Sequence, residues 1–547
     1  MIVKYDKIRI NKEEKMKKKL NLIRIAITML FGGILYYIQL PALNLKDPSL
    51  YSFMLMVLVC YLISSSITLI DISNVITNAK KAPKKMVYIS GIIFAGFVAI
   101  SLINLICSPL FNSSSWASRI TIEEDAVFTE DVKEVDFSKV PLLDKVSSQK
   151  LGDRVMGQMS ELVSQFYVSD LYTQINYNNE IVRVTPLEYN GLIKWFNNKS
   201  EGTKGYIKVN SVDGKTELVK LDKGMKYMPS AYFSKDLRRS LRIKYPTVIF
   251  GKESFEIDND GNPYWVVPTV KYTGIGTKKE ITGVVLLNPV NGKTKKYNVK
   301  DIPTWVDQVY SASLIIEQID NWGLYKNGFF NSIFSQNGVV QTTEGYNYIV
   351  KDDDVYMYTG ITSVSTDESN IGFVLTNLRT KETKFYQVPG AEEYSAMASA
   401  EGQVQQMKYI SSFPLLINLN NRPTYLMSLK DNAGLVKMYA FVDVTDYQKV
   451  VVTDSTLGIE TAASNYLNNS NLTIDTDSNI TESITIKEIN DVVIDGNTYY
   501  YIVDTNNKKY KASIKINNNL LPFLEEGSTI EVSYLKEQEV IDLIDIN

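Results

Sequence analysis

The sequence predicts an α+β protein in which three N-terminal transmembrane helices precede tandem antiparallel ββα-type repeats and a C-terminal β-barrel. Three observations support this fold class. Long apolar runs occupy the N-terminal part, one hairpin pattern recurs along the middle, and the last segment alternates short strands with turns. The chain has 547 residues and one domain usually takes about 100 to 200, so several domains are expected.

The chain contains three apolar runs, at residues 25–43, 51–70 and 87–107. Each is near the ~20 residues that a helix needs to cross ~30 Å of hydrocarbon. Basic residues cluster before the first run and again at residues 80–85, whereas the first loop carries only Lys46. By the positive-inside rule the N-terminus is cytoplasmic and everything after about Pro109 is extracytoplasmic. A cleaved signal peptide is the alternative for the first run, but no small-residue cleavage site follows it.

The third run carries a stripe of small residues, Gly91, Ala95 and Ala99, at a spacing of four. Such a stripe lets a second helix approach closely, although small residues are common in membrane helices for other reasons. We interpret these three as candidate helix-packing residues. The expected partners of this part are membrane lipid and a second copy of the chain.

The composition excludes several kinds of site. Histidine is absent, and the only cysteines, Cys60 and Cys107, lie inside apolar runs. The large C-terminal part therefore lacks a thiol nucleophile, a disulfide and the commonest general base. We expect no catalytic residue, metal ligand or cofactor. Beyond residue 109 there are 44 basic and 56 acidic residues, a net charge of −12 that disfavours nucleic acid. An exported domain without disulfides suits a bacterial cell envelope.

A hairpin pattern recurs along the middle of the chain. Its copies lie at residues 205–216, 283–294, 372–388 and, more weakly, 438–452. The second and third copies share Asn, Thr, Tyr and Val at a constant offset of 89. Each copy predicts two strands around a turn followed by a helix, most clearly at 311–319, and a further strand precedes three copies. The predicted unit packs a helix on an antiparallel sheet.

The second copy follows the stretch Gly-Asn-Pro-Tyr-Trp at 261–265. This strand and hairpin resemble the PepSY module of bacterial exported proteins, and the resemblance extends over residues 204–466. The turn here reads Asn-Gly-Lys-Thr at 291–294, whereas the family has Asp-x-x-Thr-Gly. The resemblance implies binding or regulatory modules without catalytic residues.

The C-terminal segment follows a polar linker. Strands are predicted at 484–494, 499–504, 508–514, 529–535 and 540–546, with a short helix at 520–526. Five strands with a helix in that place resemble an OB-type barrel, although the acidic composition disfavours the nucleic-acid use of that fold. The predicted domains are a cytoplasmic N-terminus (1–24), three transmembrane helices (25–109), a juxtamembrane stalk and helix (110–170), PepSY-like repeats (171–466), a linker (467–480) and an OB-like barrel (481–547).

Three features suggest chemistry, and each has a simpler explanation. Asp258 and Asp260 suit a cation loop but lack EF-hand spacing, so a hairpin turn is favoured. The aspartates at 352–354 offer carboxylates for glycoside hydrolysis or calcium, but adjacent strand residues point to opposite faces, which favours a solvated turn. Ser147 and Lys150 have the spacing of a penicillin-binding nucleophile pair without its Lys-Thr-Gly motif, so chance is favoured.

Tyrosines alternate along one part of the repeats. Tyr346, Tyr348, Tyr356 and Tyr358 suit a platform for glycan or peptide. Tyrosine is also a good strand residue, and this structural role is favoured.

Repetition without concentrated chemistry favours a non-enzymatic, membrane-anchored scaffold or accessory protein. It would bind other envelope proteins or peptides, or itself as a homo-oligomer. The first alternative is a carboxylate-based hydrolase of the cell envelope, because pairs of Asp and Glu need neither His nor Cys. The second is a sensor of envelope ligands, whose cytoplasmic output would be the short basic N-terminus.

Overall fold

The structure is a computed structural model that describes residues 2–67, 84–364, 369–469, 480–494, 497–514, 516–534 and 539–547. It has the mixed α+β character that the sequence predicts. Helices dominate the N-terminal part, and five β-sheets follow within the described ranges. Four of the sheets belong to the middle of the chain and one to its C-terminal segment.

The N-terminal part contains helices α1 (Ile2–Gln39), α2 (Pro48–Ile67), α3 (Lys84–Ile106) and α4 (Pro109–Ala117). Among the described residues, only Asn21–Gln39 of α1 is long and apolar enough by itself to cross a membrane. Ser90–Ile106 of α3 and the following α4 pass the same test together, with a bend of 48° between them. The apolar part of α2, Pro48–Ser64, is shorter, and residues 68–70 of its predicted run lie outside the described ranges. The structure therefore supports one membrane-crossing helix, or two with the bent pair, where the sequence predicts three.

Four sheet modules follow a connecting segment. That segment contains β1 (Ile122–Ala126), α5 (Phe128–Asp131), α6 (Lys145–Gly157) and α7 (Ser160–Val163). Module 1 contains β2 (Phe166–Val168), β3 (Thr173–Tyr177), β4 (Glu180–Tyr189), α8 (Leu192–Asn198), β5 (Thr203–Asn210) and β6 (Thr216–Met225). Module 2 contains α9 (Leu237–Lys244), β7 (Ile249–Phe250), β8 (Ser254–Ile257), β9 (Pro263–Tyr272), β10 (Lys279–Leu287) and β11 (Thr294–Asn298).

The second half of the array has the same plan. Module 3 contains α10 (Ala312–Tyr325), β12 (Val340–Thr342), β13 (Asn347–Lys351), β14 (Asp354–Ser363), β15 (Ser369–Asn377), β16 (Thr383–Tyr386) and β17 (Gly390–Ala391). Module 4 contains α11 (Glu393–Gln403), β18 (Ile410–Ser411), β19 (Leu415–Leu419), β20 (Arg422–Lys430), β21 (Val436–Asp443), β22 (Val450–Asp454) and α12 (Ile459–Asn469).

The four modules share one strand topology. In each, two short strands pair with the same edge of a long strand: β2 and β3 with β4, β7 and β8 with β9, β12 and β13 with β14, and β18 and β19 with β20. The next two strands complete the antiparallel meander. The fourth copy, which is the weakest in sequence, therefore has the same strand order as the others. The helix predicted at 311–319 is the first part of α10, which precedes the strands of module 3.

The asparagine shared by the repeats has a structural role. The Asn288 Oδ1 accepts hydrogen bonds from the backbone N–H groups two and three residues later, at 3.0 and 3.2 Å. Asn210, Asn377 and Asp443 make the equivalent pair of bonds in the other modules. Such an Asx turn reverses the chain between two strands. The repeated residue in the sequence therefore marks a turn, and aspartate replaces asparagine in module 4.

The sheets of modules 2, 3 and 4 are covered on both faces. Along β10, Val285 and Leu287 face a core shared with module 1, whereas Val284 and Leu286 face a core shared with α10 and module 3. Successive residues of a strand point to opposite faces, so both sets are buried. The next core contains α11 between modules 3 and 4, and α12 covers the outer face of module 4. The predicted helix-on-sheet unit is thus part of a stack of sheets and helices.

Residues 132–142, here called the strap, cross the outer side of module 4. The Val135 N–H donates to the carbonyl of Asn418 at 2.9 Å, and the Asn418 side chain donates to the carbonyl of Val132 at 2.8 Å. Phe137 and Val140 are buried in the core that contains α12. Because β1 also pairs in parallel with β16, the segment between α4 and α6 binds modules 3 and 4 before module 1 begins.

The loop between β9 and β10 contacts the ends of the N-terminal helices. The carbonyl of Lys46, between α1 and α2, accepts from the Gly276 N–H at 3.0 Å. The Asn104 side chain, near the end of α3, makes two hydrogen bonds with the backbone of Ile275, at 2.8 and 3.0 Å. Gly276 has a φ of +72° and lies against Pro48, the first residue of α2, so a side chain there would collide with the helix. The end of α1, the start of α2 and the end of α3 therefore all lie beside module 2.

The C-terminal segment contains β23 (Ile480–Ile494), β24 (Asn497–Asp504), β25 (Lys509–Ser513), β26 (Thr529–Tyr534), β27 (Ile541–Asp542) and β28 (Asp545–Ile546). Their order is β27-β25-β24-β23-β26-β28. The described residues thus form a sheet of six strands where the sequence predicts five, because the last predicted strand is divided between β27 and β28. The helix predicted at 520–526 is a single 3₁₀ turn, Leu521–Phe523.

Candidate functional site

A groove of about 390 Å³ lies between the strap, β13 and β19. Its lining includes Val132, Val135, Ile349, Leu416 and Ile417, so much of its wall is apolar. Leu416 and Ile417 are buried in the cores of module 4, and they are held there by pairing of β19 with β20. Charged residues from the strap and from the end of β13 surround this apolar part. The groove therefore combines apolar walls with a polar rim.

The turn that follows β13 determines which backbone groups face the groove. Asp352 and Asp353 have φ values of +49° and +70° and form a two-residue hairpin loop of the I′ kind. In such a hairpin the two residues that flank the turn, Lys351 and Asp354, exchange backbone hydrogen bonds. The next pair along the strands, Val350 and Val355, does not. The Leu378 N–H donates to the Val355 carbonyl at 3.0 Å, which places the Val355 backbone on the side away from β13. The Val350 N–H and carbonyl accordingly point away from β14.

The outer edge of β13 is open where it borders the groove. Val350 lines the groove together with strap residues. Within the described part of the chain, no backbone hydrogen bond joins Val350 to the strap or to β19. An exposed strand edge is a template for pairing with another extended chain. The groove thus offers one main-chain donor, one main-chain acceptor and apolar contacts to an extended peptide.

The charges at the rim are largely paired within the protein. Asp131 accepts from the Lys384 ammonium at 3.0 Å, and Glu134 accepts from the backbone N–H of Asn420 at 2.7 Å. Hydrogen bonding to Asp131 raises the pKa of Lys384. Lys133 is 86% exposed and lies 3.8 Å from Asp352, so its ion pair is solvent-screened. The rim therefore exposes Lys133 to solvent, and its acidic and basic residues together give it neither a strongly positive nor a strongly negative potential.

The chain was compared with protein-family models and with curated proteins. No protein-family model and no curated protein matches this chain.

Glu256 and Asp307 are buried carboxyls at the contact of modules 1, 2 and 3. The Glu256 carboxyl accepts from the N–H of Asp307 at 2.8 Å, the N–H of Gln308 at 3.2 Å and the hydroxyl of Ser254 at 2.8 Å. Burial raises the pKa of Glu256 to about 7. The pKa of Asp307 is raised well above its usual value. Burial is the main cause, and repulsion from the nearby Glu256 is the second. Both residues are at most 1% exposed, so no substrate can reach them. Their hydrogen bonds join β8 of module 2 to the segment before α10.

The acidic groups singled out in the sequence lie in turns, except Asp354, which is buried as the first residue of β14 where the sequence predicts a solvated turn. The Asp258 Oδ1 accepts from the backbone N–H groups of Asp260 and Asn262, at 3.1 and 2.8 Å, which is the hairpin turn that the sequence favours. Asp352 and Asp353 form the turn after β13, and Asp354 is paired with Arg379 at 2.6 Å. Across the described residues, no group of three or more Asp, Glu or Cys side chains is arranged to hold a metal ion.

Ser147 and Lys150 serve to dock α6 on module 4. The Ser147 hydroxyl donates to the Gly434 carbonyl at 3.4 Å, and the Lys150 ammonium donates to the Ala433 carbonyl. Both side chains thus bind carbonyls of the loop between β20 and β21. Their spacing reflects one turn of helix.

The four tyrosines do not share one surface. Tyr358 is fully buried in the core between modules 3 and 4, whereas Tyr346 is 39% exposed. Tyr346 and Tyr348 pack edge to face with ring centroids 5.5 Å apart. Gly91, Ala95 and Ala99 are exposed along α3, and their role in helix packing remains a prediction.

Sequence reasoning missed the strap and the open edge of β13. The signal for β13 was present, because two turn residues separate an alternating run from the tyrosine-rich strand after it. In the strap, Val135, Phe137 and Val140 are spaced among charged residues. This pattern alone does not indicate an extended segment that packs on β19. The partner, Asn418, is 286 residues from Val132 in sequence.

Proposed function

We propose that this chain is a membrane-anchored, extracytoplasmic scaffold or accessory protein of the cell envelope. It binds other envelope proteins as extended peptide segments and carries out no catalysis. The observation that carries the proposal is the open edge of β13 beside an apolar groove. In the hydrolase alternative two carboxyls would have to meet a substrate, and the buried position of Glu256 and Asp307 disfavours them for that role.

The anchor has three spans in this proposal, with the N-terminus in the cytoplasm. Contacts of the β9–β10 loop support it, because they bring the end of α1, the start of α2 and the end of α3 to one side. Helices joined in that way alternate in direction across a bilayer. The two basic clusters in the sequence support the same orientation.

Two structural relationships belong to the same proposal. Four modules of one topology support PepSY-like repeats as binding units. For the C-terminal segment, β27 pairs in parallel with β25 and β28 pairs with β26, although only two residues separate β27 from β28. A chain that pairs with both edges of one sheet supports an OB-like barrel.

A proline at position 350 tests the peptide-binding role. Val350→Pro removes the N–H that faces the groove, and proline is tolerated at such positions of edge strands. We expect capture of the partner segment to fall about tenfold, the equivalent of one lost hydrogen bond of about 1.4 kcal/mol. The measurement places a photo-crosslinking amino acid at Lys133 of the full-length protein in native membranes and quantifies adducts.

The matched control is Val350→Ala, which shortens the side chain but keeps the N–H. Adducts that persist in Val350→Ala and disappear in Val350→Pro would support β-pairing, and the adduct mass would separate a second copy of this chain from another protein. Equal adduct yields in all three proteins would contradict the role of the β13 edge.

A further inference from the structure

An apolar and aromatic surface lies beside the end of α1, on the side that holds the helix ends. It consists of Leu192, Ile193 and Phe196 of α8 together with Phe233, and it is called the basal patch. These side chains are 50%, 73%, 58% and 59% exposed, respectively. Apolar side chains normally avoid such exposure when they lie next to one another, so a patch of this kind marks a contact with a partner or a membrane.

A short series of contacts connects the basal patch to α1. The Trp195 ring packs against Phe233 with centroids 5.6 Å apart. The Phe233 carbonyl accepts from the Arg239 guanidinium at 2.8 Å, and that guanidinium lies 4.1 Å from the centroid of the Tyr37 ring. Tyr37 belongs to the segment Asn21–Gln39 that is long and apolar enough to cross a membrane. The patch is therefore level with the end of that segment.

Backbone geometry keeps Phe233 in its position. Its φ is +54°, a conformation that an aromatic residue rarely adopts. The Arg239 contact with the Phe233 carbonyl holds this turn in place. Strained backbone of this kind persists where surrounding contacts determine it, and it is common at functional sites.

The charge around the basal patch is opposite to that of the rest of the extracytoplasmic part. Residues 191–199 and 232–245 contain six basic residues that are not buried and one acidic residue, whereas the chain beyond residue 109 has a net charge of −12. The Lys199 ammonium lies 3.7 Å from the centroid of the Phe196 ring, so a basic group covers the edge of the patch. Aromatic residues with lysine and arginine beside them are typical of membrane interfaces with anionic lipid.

We propose that the basal patch lies in the leaflet nearest the modules, with its basic rim on anionic lipid headgroups. This inference rests on the proposed membrane anchor. An attachment through α8, in addition to the helix ends that contact module 2, would fix the orientation of module 1 on the membrane surface.

The test uses an environment-sensitive fluorophore on the full-length protein. Cys60 and Cys107 are first replaced by alanine, Ile193→Cys is introduced and labelled, and the protein is placed in nanodiscs of phosphatidylcholine with or without phosphatidylglycerol. We expect blue-shifted emission that brominated lipid chains quench about twofold, more strongly when phosphatidylglycerol is present. The control is Phe523→Cys, because Phe523 is 78% exposed in the C-terminal segment; its label should stay unquenched.

The outcomes separate this inference from the anchor. If the protein stays in the discs after an alkaline wash but the label at 193 is unquenched, the basal patch does not enter lipid and the anchor stands. A blue shift without quenching by brominated lipid would show that the label is covered by protein, from the same chain or a second copy, and would also overturn the inference. Loss of the protein from the discs would overturn the anchor and this inference together.

Discussion

Replacing Arg119 with methionine is expected to lower the free energy of unfolding by about 3 kcal/mol, because it removes three hydrogen bonds of a buried guanidinium, two of them to carboxylates. The Arg119 side chain is fully buried. It donates to Glu280 at 2.9 Å, to Glu317 at 2.5 Å and to the Lys279 carbonyl at 2.7 Å. These bonds join the end of α4 to β10 and α10, so their loss weakens the contact between the N-terminal helices and modules 2 and 3.

The measurement is urea unfolding of the full-length protein in detergent, followed by tryptophan fluorescence. The matched control is Arg238→Met. Arg238 also pairs with a glutamate, Glu253, at 3.2 Å, but its side chain is 69% exposed, and such pairs contribute about 0 to 1 kcal/mol. Equal losses of stability in the two variants would show that Arg119 does not join the two parts.

The stability of the protein should fall as the pH rises from 5 to 8, and Glu256→Gln should remove much of that fall. The pKa of Glu256 is about 7 in the folded protein and 4.5 without the fold. Between these values the folded state holds a proton that the unfolded state releases, so stability is highest below 4.5 and is lost as the pH passes 7. The difference between pH 5 and 8 is about 2.5 kcal/mol, at about 1.4 kcal/mol per pH unit.

The pKa of Asp307 is raised in the same direction, so Asp307→Asn should also flatten the profile. The experiment compares unfolding midpoints of the wild-type and variant proteins at pH 5, 6, 7 and 8. Glu256→Gln loses one acceptor for the two backbone N–H groups, which should lower stability at pH 5. Parallel profiles for wild-type and Glu256→Gln proteins would show that the Glu256 carboxyl does not change its charge over this range.

The hairpins and α10 could be predicted from the sequence because each depends on residues that are near one another in the chain. Asn288 forms its turn with the next few residues, and Ser311 caps α10 by accepting from the Leu314 N–H. The stacking of modules could not be predicted in this way. The run Val284 to Leu287 indicates a strand buried on both faces, but it does not say which module covers each face.

The candidate site depends on contacts that are distant in sequence. The alternating residues of β13 are a local signal for a strand, but the open edge at Val350 follows from the position of the strap, which pairs with Asn418. The sequence correctly predicts a turn at Asp352 and Asp353, which orients Val350, but Asp354 is a buried residue of β14 and not part of a solvated turn. The residues next to the strap and next to β19 do not indicate that the two segments meet. A contact between residues 286 positions apart produces no pattern in the neighbouring sequence.

Protease accessibility in intact protoplasts tests most directly whether the modules are extracytoplasmic. The chain would carry an N-terminal tag, and protease would be added before and after lysis. The account predicts digestion beyond Pro109 in intact protoplasts, with the tag retained on a membrane-bound fragment until lysis. Protection of the modules until the membrane is broken would contradict the three-span anchor and place the β13 groove in the cytoplasm.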